Sequence, residues 1–207
     1  ATAIEGFPAD TVLWAVLTSL PQPPELVVAG INAGQTLGES VRFSGTVGAA
    51  LWGARLGIPA IAANVQFGVS DYLPAATFVA RVVDHFRTNK GFRKRMREKG
   101  STSHGIVLNM NFPDCPEGGR GMELVTVGRA IVYTGHTLLD DIGGVKTWSL
   151  ERTTTNTNIV DCLSTFKDVT SDVDAFINGF ATLTPLSDEG QISSRAMKQF
   201  KLVTKLY

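Results

Sequence analysis

Glu25-Leu-Val-Val-Ala-Gly-Ile31, Ser44-Gly-Thr-Val-Gly-Ala-Ala-Leu-Trp-Gly-Ala-Arg-Leu-Gly57 and Ile58-Pro-Ala-Ile-Ala-Ala-Asn-Val65 follow one another in the chain. The first and third are near-continuous apolar runs, the pattern of strands buried on both faces of a parallel sheet. Between them, Ser44 can cap a small-residue helix and Gly57 can close it in the left-handed conformation. Strand, helix and strand over this span predict a βαβ unit with a right-handed crossover. The fold class expected is α/β, a Rossmann-like three-layer sandwich with a mostly parallel sheet.

Working outward, Pro8 to Leu20 reads as a helix, with Pro8 at its first position and Val12, Val16 and Leu20 on one apolar stripe. Pro21, Pro23 and Pro24 end it. A helical stretch from about Tyr72 to Lys99, broken near Asn89–Gly91, leads to a third strand, Gly105 to Pro113. Beyond it the texture changes. Leu124-Val-Thr-Val127, Ala130 to Tyr133 and Lys146 to Arg152 are shorter and more polar, and predict an exposed antiparallel β arm. A polar stretch, Thr153 to Asp172, leads into the apolar segment Ala175 to Pro185, with a short helical turn over Val169 to Phe180 as the alternative, and Ser193 to Leu206 reads as a last helix. The division expected is a core over residues 1–122 and, over 123–207, a hairpin arm, a return strand and a C-terminal oligomerisation helix.

Composition bounds the function classes. The 207 residues balance 19 basic against 19 acidic side chains, so no global charge attracts nucleic acid. Apolar content of 43% argues for a packed core rather than disorder. No apolar run approaches the ~20 residues that span a bilayer. A cytoplasmic location is expected, with secretion the alternative. Cys115 and Cys162 match no metal or redox spacing, and are read as two unrelated thiols unless the protein is secreted.

Four features can carry chemistry. Gly30, Gly34 and Gly38 leave the carboxyl end of a buried strand, where α/β sheets bind ligands, but are not spaced as the dinucleotide fingerprint. Asn32 sits there, able to ligate a hard cation or to hold the turn by an Asx bond. Ser44-Gly45-Thr46 opens a helix with hydroxyls, free N–H groups and a positive dipole end, suited to phosphate. Asp140 and Asp141 read as a solvated hairpin loop. Finally, Arg87, Lys90, Arg93, Lys94, Arg95, Arg97 and Lys99 cluster around Phe92. That run reads first as a solvated helix face, and would suit nucleic acid or polyphosphate as a second partner. His85, His104 and His136 share no ligand spacing.

Phe7-Pro8-Ala9-Asp10, Gly30-Ile31-Asn32-Ala33-Gly34, Leu37-Gly38, Ser44-Gly45-Thr46-Val47, Leu56 to Ala62, Leu108 to Pro113 and Leu183 to Leu186 occur in this order. Together they resemble the SurE family of metal-dependent 5′-nucleotidases, the survival-protein phosphatases. The resemblance implies hydrolysis of nucleoside monophosphates by metal-activated water, with Mg²⁺ or Mn²⁺ as cofactor. It implies Asn32 as a metal ligand and Gly34, Ser44, Gly45 and Thr46 as the phosphate-binding residues. A homodimer or homotetramer through the C-terminal arm is also implied. Phe7 and Thr36 depart from the family pattern. The family's Asn-Asp-Asp-Gly strand, whose aspartates bind the metal, has no match, so the catalytic residues are unknown. Asp140 and Asp141 come too late in the chain to replace it. The expectation is an incomplete chain, inactive alone; the alternative is a non-catalytic degenerate homologue serving as a binding or assembly module.

Overall fold

Two strands without a single exposed residue organise the molecule: β2 (Ala60–Val65) and β3 (Val107–Phe112). They run parallel, with Ala60 opposite Val107 and Val65 opposite Phe112. β1 (Val27–Ala33) pairs in parallel with the outer side of β2. The computed structural model describes residues 1–97, 105–116, 119–129, 131–142, 145–154, 156–187, 190–192 and 194–207.

Helix α2 (Gly45–Arg55) joins β1 to β2 and covers one face of the sheet. Its Val47, Ala50 and Ala54 pack on Ala60, Ala62, Val107 and Leu186. Gly53 permits this close approach, since a Cβ there would stand 2.8 Å from Val27 Cγ2. The opposite face is covered by α3 (Leu73–Thr88), α4 (Lys90–Arg97) and the C-terminal segment. Phe78, Val82, Phe86, Phe92 and Met96 meet Ile61, Leu108, Met110 and Leu183 there. The α3–α4 break falls where the sequence places it, because Asn89 Oδ1 accepts the Phe92 N–H at 2.9 Å and caps the second helix. Helices, sheet and helices make the expected three-layer α/β sandwich.

Several details differ from expectation. β1 is an edge strand that alternates half-buried and exposed, with Val28 45% exposed, rather than being buried on both faces. Helix α1 (Pro8–Trp14) continues as a π-helical turn, Ala15–Ser19, and buries no residue completely. Leu124 belongs to β4 (Met122–Leu124), which pairs in parallel with β7 (Ala181–Ser187) inside the main sheet. β7 in turn lies antiparallel to β3, giving the order β1-β2-β3-β7-β4, with β8 (Gly190–Gln191) on β7. The separate two-stranded sheet is β5 (Ile131–Ile142) with β6 (Val145–Thr154). The helical turn before β7 is α5 (Asp172–Ile177). The C-terminal helix is broken into α6 (Ser194–Met197) and two 3₁₀ turns, Lys198–Phe200 and Val203–Leu206.

The cysteines are not unrelated thiols. Cys115, in the loop after β3, is disulfide-bonded to Cys162 with a Cα–Cα distance of 5.6 Å. The backbone brings them together: Asp161 N–H bonds Ile177 O, and Arg120 N–H bonds Gly179 O.

Candidate active site at the carboxyl ends of the strands

The sheet register aligns Asn32, Asn64, Asn111 and Thr182 across β1, β2, β3 and β7. Asn109, two residues before Asn111 and so on the same face, stands opposite Thr184. Of these, Asn64, Asn109, Asn111, Thr182 and Thr184 are fully buried. Amides taken out of water destabilise a fold unless they are hydrogen-bonded, and the bonds of these three asparagines determine the shape of the site.

They converge on Thr36, in the turn after β1. Its N–H donates to Asn111 Oδ1 at 2.7 Å, its carbonyl accepts from Asn109 Nδ2 at 3.0 Å, and its hydroxyl donates to Asn64 Oδ1 at 3.0 Å. Asn64 Nδ2 is fully used, on Asn109 Oδ1 and Met110 O. The next turn of this loop is held from another side, where Gly38 N–H donates to Asp172 Oδ2 at 3.0 Å. Asp172 also accepts from Gly128 and Val173. Burial pushes the Asp172 carboxyl above the usual range, and these backbone bonds oppose the shift.

Ser44 caps α2, its Oγ accepting the Val47 N–H at 3.2 Å, and lies 3.3 Å from Thr36 Oγ1. The Thr36 proton is committed to a carbonyl oxygen that cannot donate, so the Ser44 hydroxyl donates to Thr36. The cap and the asparagine network are therefore one unit. The N–H groups of Gly45 and Thr46, in the first turn of an 11-residue helix, have no intrahelical acceptor. Thr46 is half-buried and its hydroxyl has no protein partner among the described residues. Gly45 is exposed, and a Cβ there would meet Pro8 Cγ at 3.2 Å, so its smallness accommodates α1.

Asn32 is half-buried, and its Nδ2 donates to Gly34 O at 2.7 Å. This is the turn-holding bond expected of an Asx residue. It leaves Oδ1 without a protein partner among the described residues, so holding the turn and binding a ligand are compatible. Asn32, Gly34 and Ser44 are thus brought to one end of the sheet, with Gly45 and Thr46 on the adjoining helix start. The described residues do not by themselves fit a divalent cation, for they include no cluster of three or more His, Cys, Asp or Glu side chains. Asn32 offers a single neutral oxygen.

The other candidates lie elsewhere. Asp140 and Asp141 fall within β5, opposite Thr147 and Lys146, rather than in the hairpin loop. His85 packs on the Phe92 ring, His136 lies in β5, and His104 is outside the described residues. Lys90, Arg93, Lys94 and Arg97 line a groove of about 370 Å³ on α4, at the amino end of β3. Arg93 is bound to the carbonyls of Phe86 and Arg87, Arg97 is 3.6 Å from Glu25, and Lys99 lies outside the described residues. Sequence reading missed Thr36, Asn64, Asn109, Asn111 and Asp172. The alternate asparagines of an otherwise apolar strand were the available signal.

The family described as Survival protein SurE matches residues 1–133. The 5′-nucleotidase SurE of Desulfitobacterium hafniense is 38% identical over 131 residues, 62% of this chain and 46% of that protein. The 5′-nucleotidase SurE of Pseudoalteromonas atlantica is 39% identical over 129 residues, 61% of this chain and 48% of that protein. The crystal structure of the Sure protein from Aquifex aeolicus superposes with a TM-score of 0.60 and 26% identity, covering 97% of this chain and 74% of that one. The chain spans about half the length of the curated relatives it matches.

Proposed function

Because this chain belongs to the SurE family, we propose that it supplies the phosphate-binding part of a 5′-nucleotidase that releases phosphate from nucleoside monophosphates. The observation that carries this reading is the Thr36-centred network. It fixes the Gly34–Gly38 turn, Ser44 and the start of α2 before any ligand arrives. The phosphate sits at the N-terminus of α2, taking the Gly45 and Thr46 N–H groups and the Thr46 hydroxyl, with the partial positive charge of the helix end behind them. Donors already held in place stabilise charge on the phosphoryl oxygens without reorganising. A divalent cation, Mg²⁺ or Mn²⁺, would supply the Lewis acidity in this chemistry. Asn32 Oδ1 would give it one oxygen. Among the described residues no cluster of three or more His, Cys, Asp or Glu side chains joins it.

Further features support the rest of the reading. A two-stranded sheet is marginal alone, and β5–β6 exposes Leu138 and Leu139, which suits a dimer or tetramer formed through this arm. The disulfide favours an oxidising compartment over the cytoplasm first expected. Among the described residues no helix is long and apolar enough to cross a membrane. The α4 groove is the place where nucleic acid or polyphosphate would bind.

The test is phosphate release from a nucleoside monophosphate with Mn²⁺ present. Hydrolysis that falls at least about tenfold in Asn32→Ala, with the thermal transition kept, supports the reading. Nucleotide binding without any release overturns hydrolysis. It leaves the non-catalytic binding module.

A further inference from the structure

One residue past the asparagine row, the side chains turn to the other face of the sheet. Val65 and Phe112, directly paired, open onto a cavity of about 420 Å³. Val69, Pro74, Ala75, Pro113 and Tyr207 add to its walls, and Asp71 and Asp114 stand on its lining. This volume is that of a small-molecule site, and its chemistry differs from that of the α2 end. Neither carboxylate makes an ion pair among the described residues. One oxygen of Asp71 is occupied by the Leu73 N–H at 2.9 Å, whereas the Asp114 carboxylate accepts no hydrogen bond among the described residues. Two carboxylates repel a phosphate and favour N–H donors.

The cavity is mechanically joined to the phosphate loop. Gln35, next to Gly34, accepts the Phe67 N–H on Oε1 at 2.8 Å. Gln66 accepts the Asp114 N–H on Oε1 at 2.9 Å. Both glutamines also donate to Asn158, and the Cys115–Cys162 disulfide pins the cavity wall to that same segment. The cavity and the start of α2 both lie at the carboxyl ends of the parallel strands, on opposite faces of the sheet.

We propose that the cavity between Val65, Phe112 and Asp114 seats the base of an amino-bearing nucleoside. The flat base lies against the apolar walls and its amino group donates to Asp114, while the phosphate is directed away toward α2. This rests on the phosphate reading above, and it names the part of the substrate recognised rather than the bond broken.

Binding of phosphate-free probes separates the two. Adenosine, the same nucleoside lacking the amino group, and inorganic phosphate are titrated calorimetrically into the protein, Asp114→Ala and Val69→Trp. The expected result is that adenosine binds about tenfold more tightly than its amino-free analogue. Both variants weaken adenosine about tenfold and leave inorganic phosphate within about twofold. Val69 is half-buried, so its replacement fills the cavity from the rim, and Asp114→Ala serves if that variant unfolds. Phosphate binding without adenosine binding, or adenosine binding that both variants leave unchanged, overturns the cavity assignment and spares the phosphate site. Adenosine binding without phosphate binding supports the cavity and overturns the phosphate site.

Discussion

The Thr36 hydroxyl and the Asn64 amide oxygen lie 3.0 Å apart, both side chains buried, one from a loop and one from the centre of the sheet. Thr36→Val keeps the shape and removes the donor, leaving Asn64 Oδ1 buried without a partner. The expected loss is about 1–3 kcal/mol of unfolding free energy, read as a lower urea midpoint at unchanged m-value. Thr36→Ser restores the donor and recovers most of it. An unchanged midpoint in the valine variant would mean that water, not Thr36, satisfies Asn64.

Ser44 has two roles that one substitution can part. Aspartate is as good a cap as serine, and its charge suits the helix dipole. Ser44→Asp therefore keeps the thermal transition of the parent, while Ser44→Ala lowers stability by about 1 kcal/mol. If phosphate binds at the start of α2, the aspartate variant repels it and loses phosphate binding altogether. Retained phosphate affinity in Ser44→Asp would place the anion elsewhere and leave Ser44 only a cap.

What the sequence discloses and what it hides divide along physical lines. The buried strands β2 and β3, the Ser44 cap and the break at Asn89 depend on neighbours a few residues away, and all are readable from the chain. Asn32 and Ser44 are readable too, since they occupy the end of a strand and the start of a helix. The exposure of β1 and the insertion of β7 between β3 and β4 depend on pairing between distant segments. So does the meeting of Asn64, Asn109 and Asn111 at Thr36. Alternate asparagines in an apolar strand mark buried amides, but no local pattern names the partner of Asn109, a loop residue 73 positions away. The cavity beside Asp114 is assembled from three separate segments and has no sequence signature.

The disulfide closes a loop across a sequence separation of 47. Chain-entropy arguments make that worth up to about 4 kcal/mol. Denatured protein treated with a thiol-blocking reagent is expected to gain no adduct before reduction and two afterwards, matching its two cysteines. Cys162→Ser is expected to lower the thermal transition and to loosen the 156–163 segment, which hydrogen exchange would report as faster amides there. Two adducts without reductant would return the protein to a reducing compartment.

Asp172 sets burial against hydrogen bonding, and pH tells which prevails. Its carboxyl is raised above the ordinary 3.8, with burial the largest cause and backbone N–H bonds, Gly38 first, opposing. A raised folded pKa means the folded protein holds this proton at a pH where the unfolded chain has released it. The stability Asp172 contributes is then fully present below 3.8 and falls as pH rises through the folded value. Asp172→Asn cannot titrate, although its amide turns a donor toward one of the backbone N–H groups. The stability of the parent minus that of Asp172→Asn is therefore expected to shrink as pH rises from below 3.8 toward neutrality. Urea unfolding of both proteins across that range measures the difference. A difference that widens with pH would show that the N–H bonds from Gly38, Gly128 and Val173 outweigh burial. The loop beside the phosphate site would then be held by a carboxylate whose ionisation the fold favours, and it would loosen in acid rather than tighten.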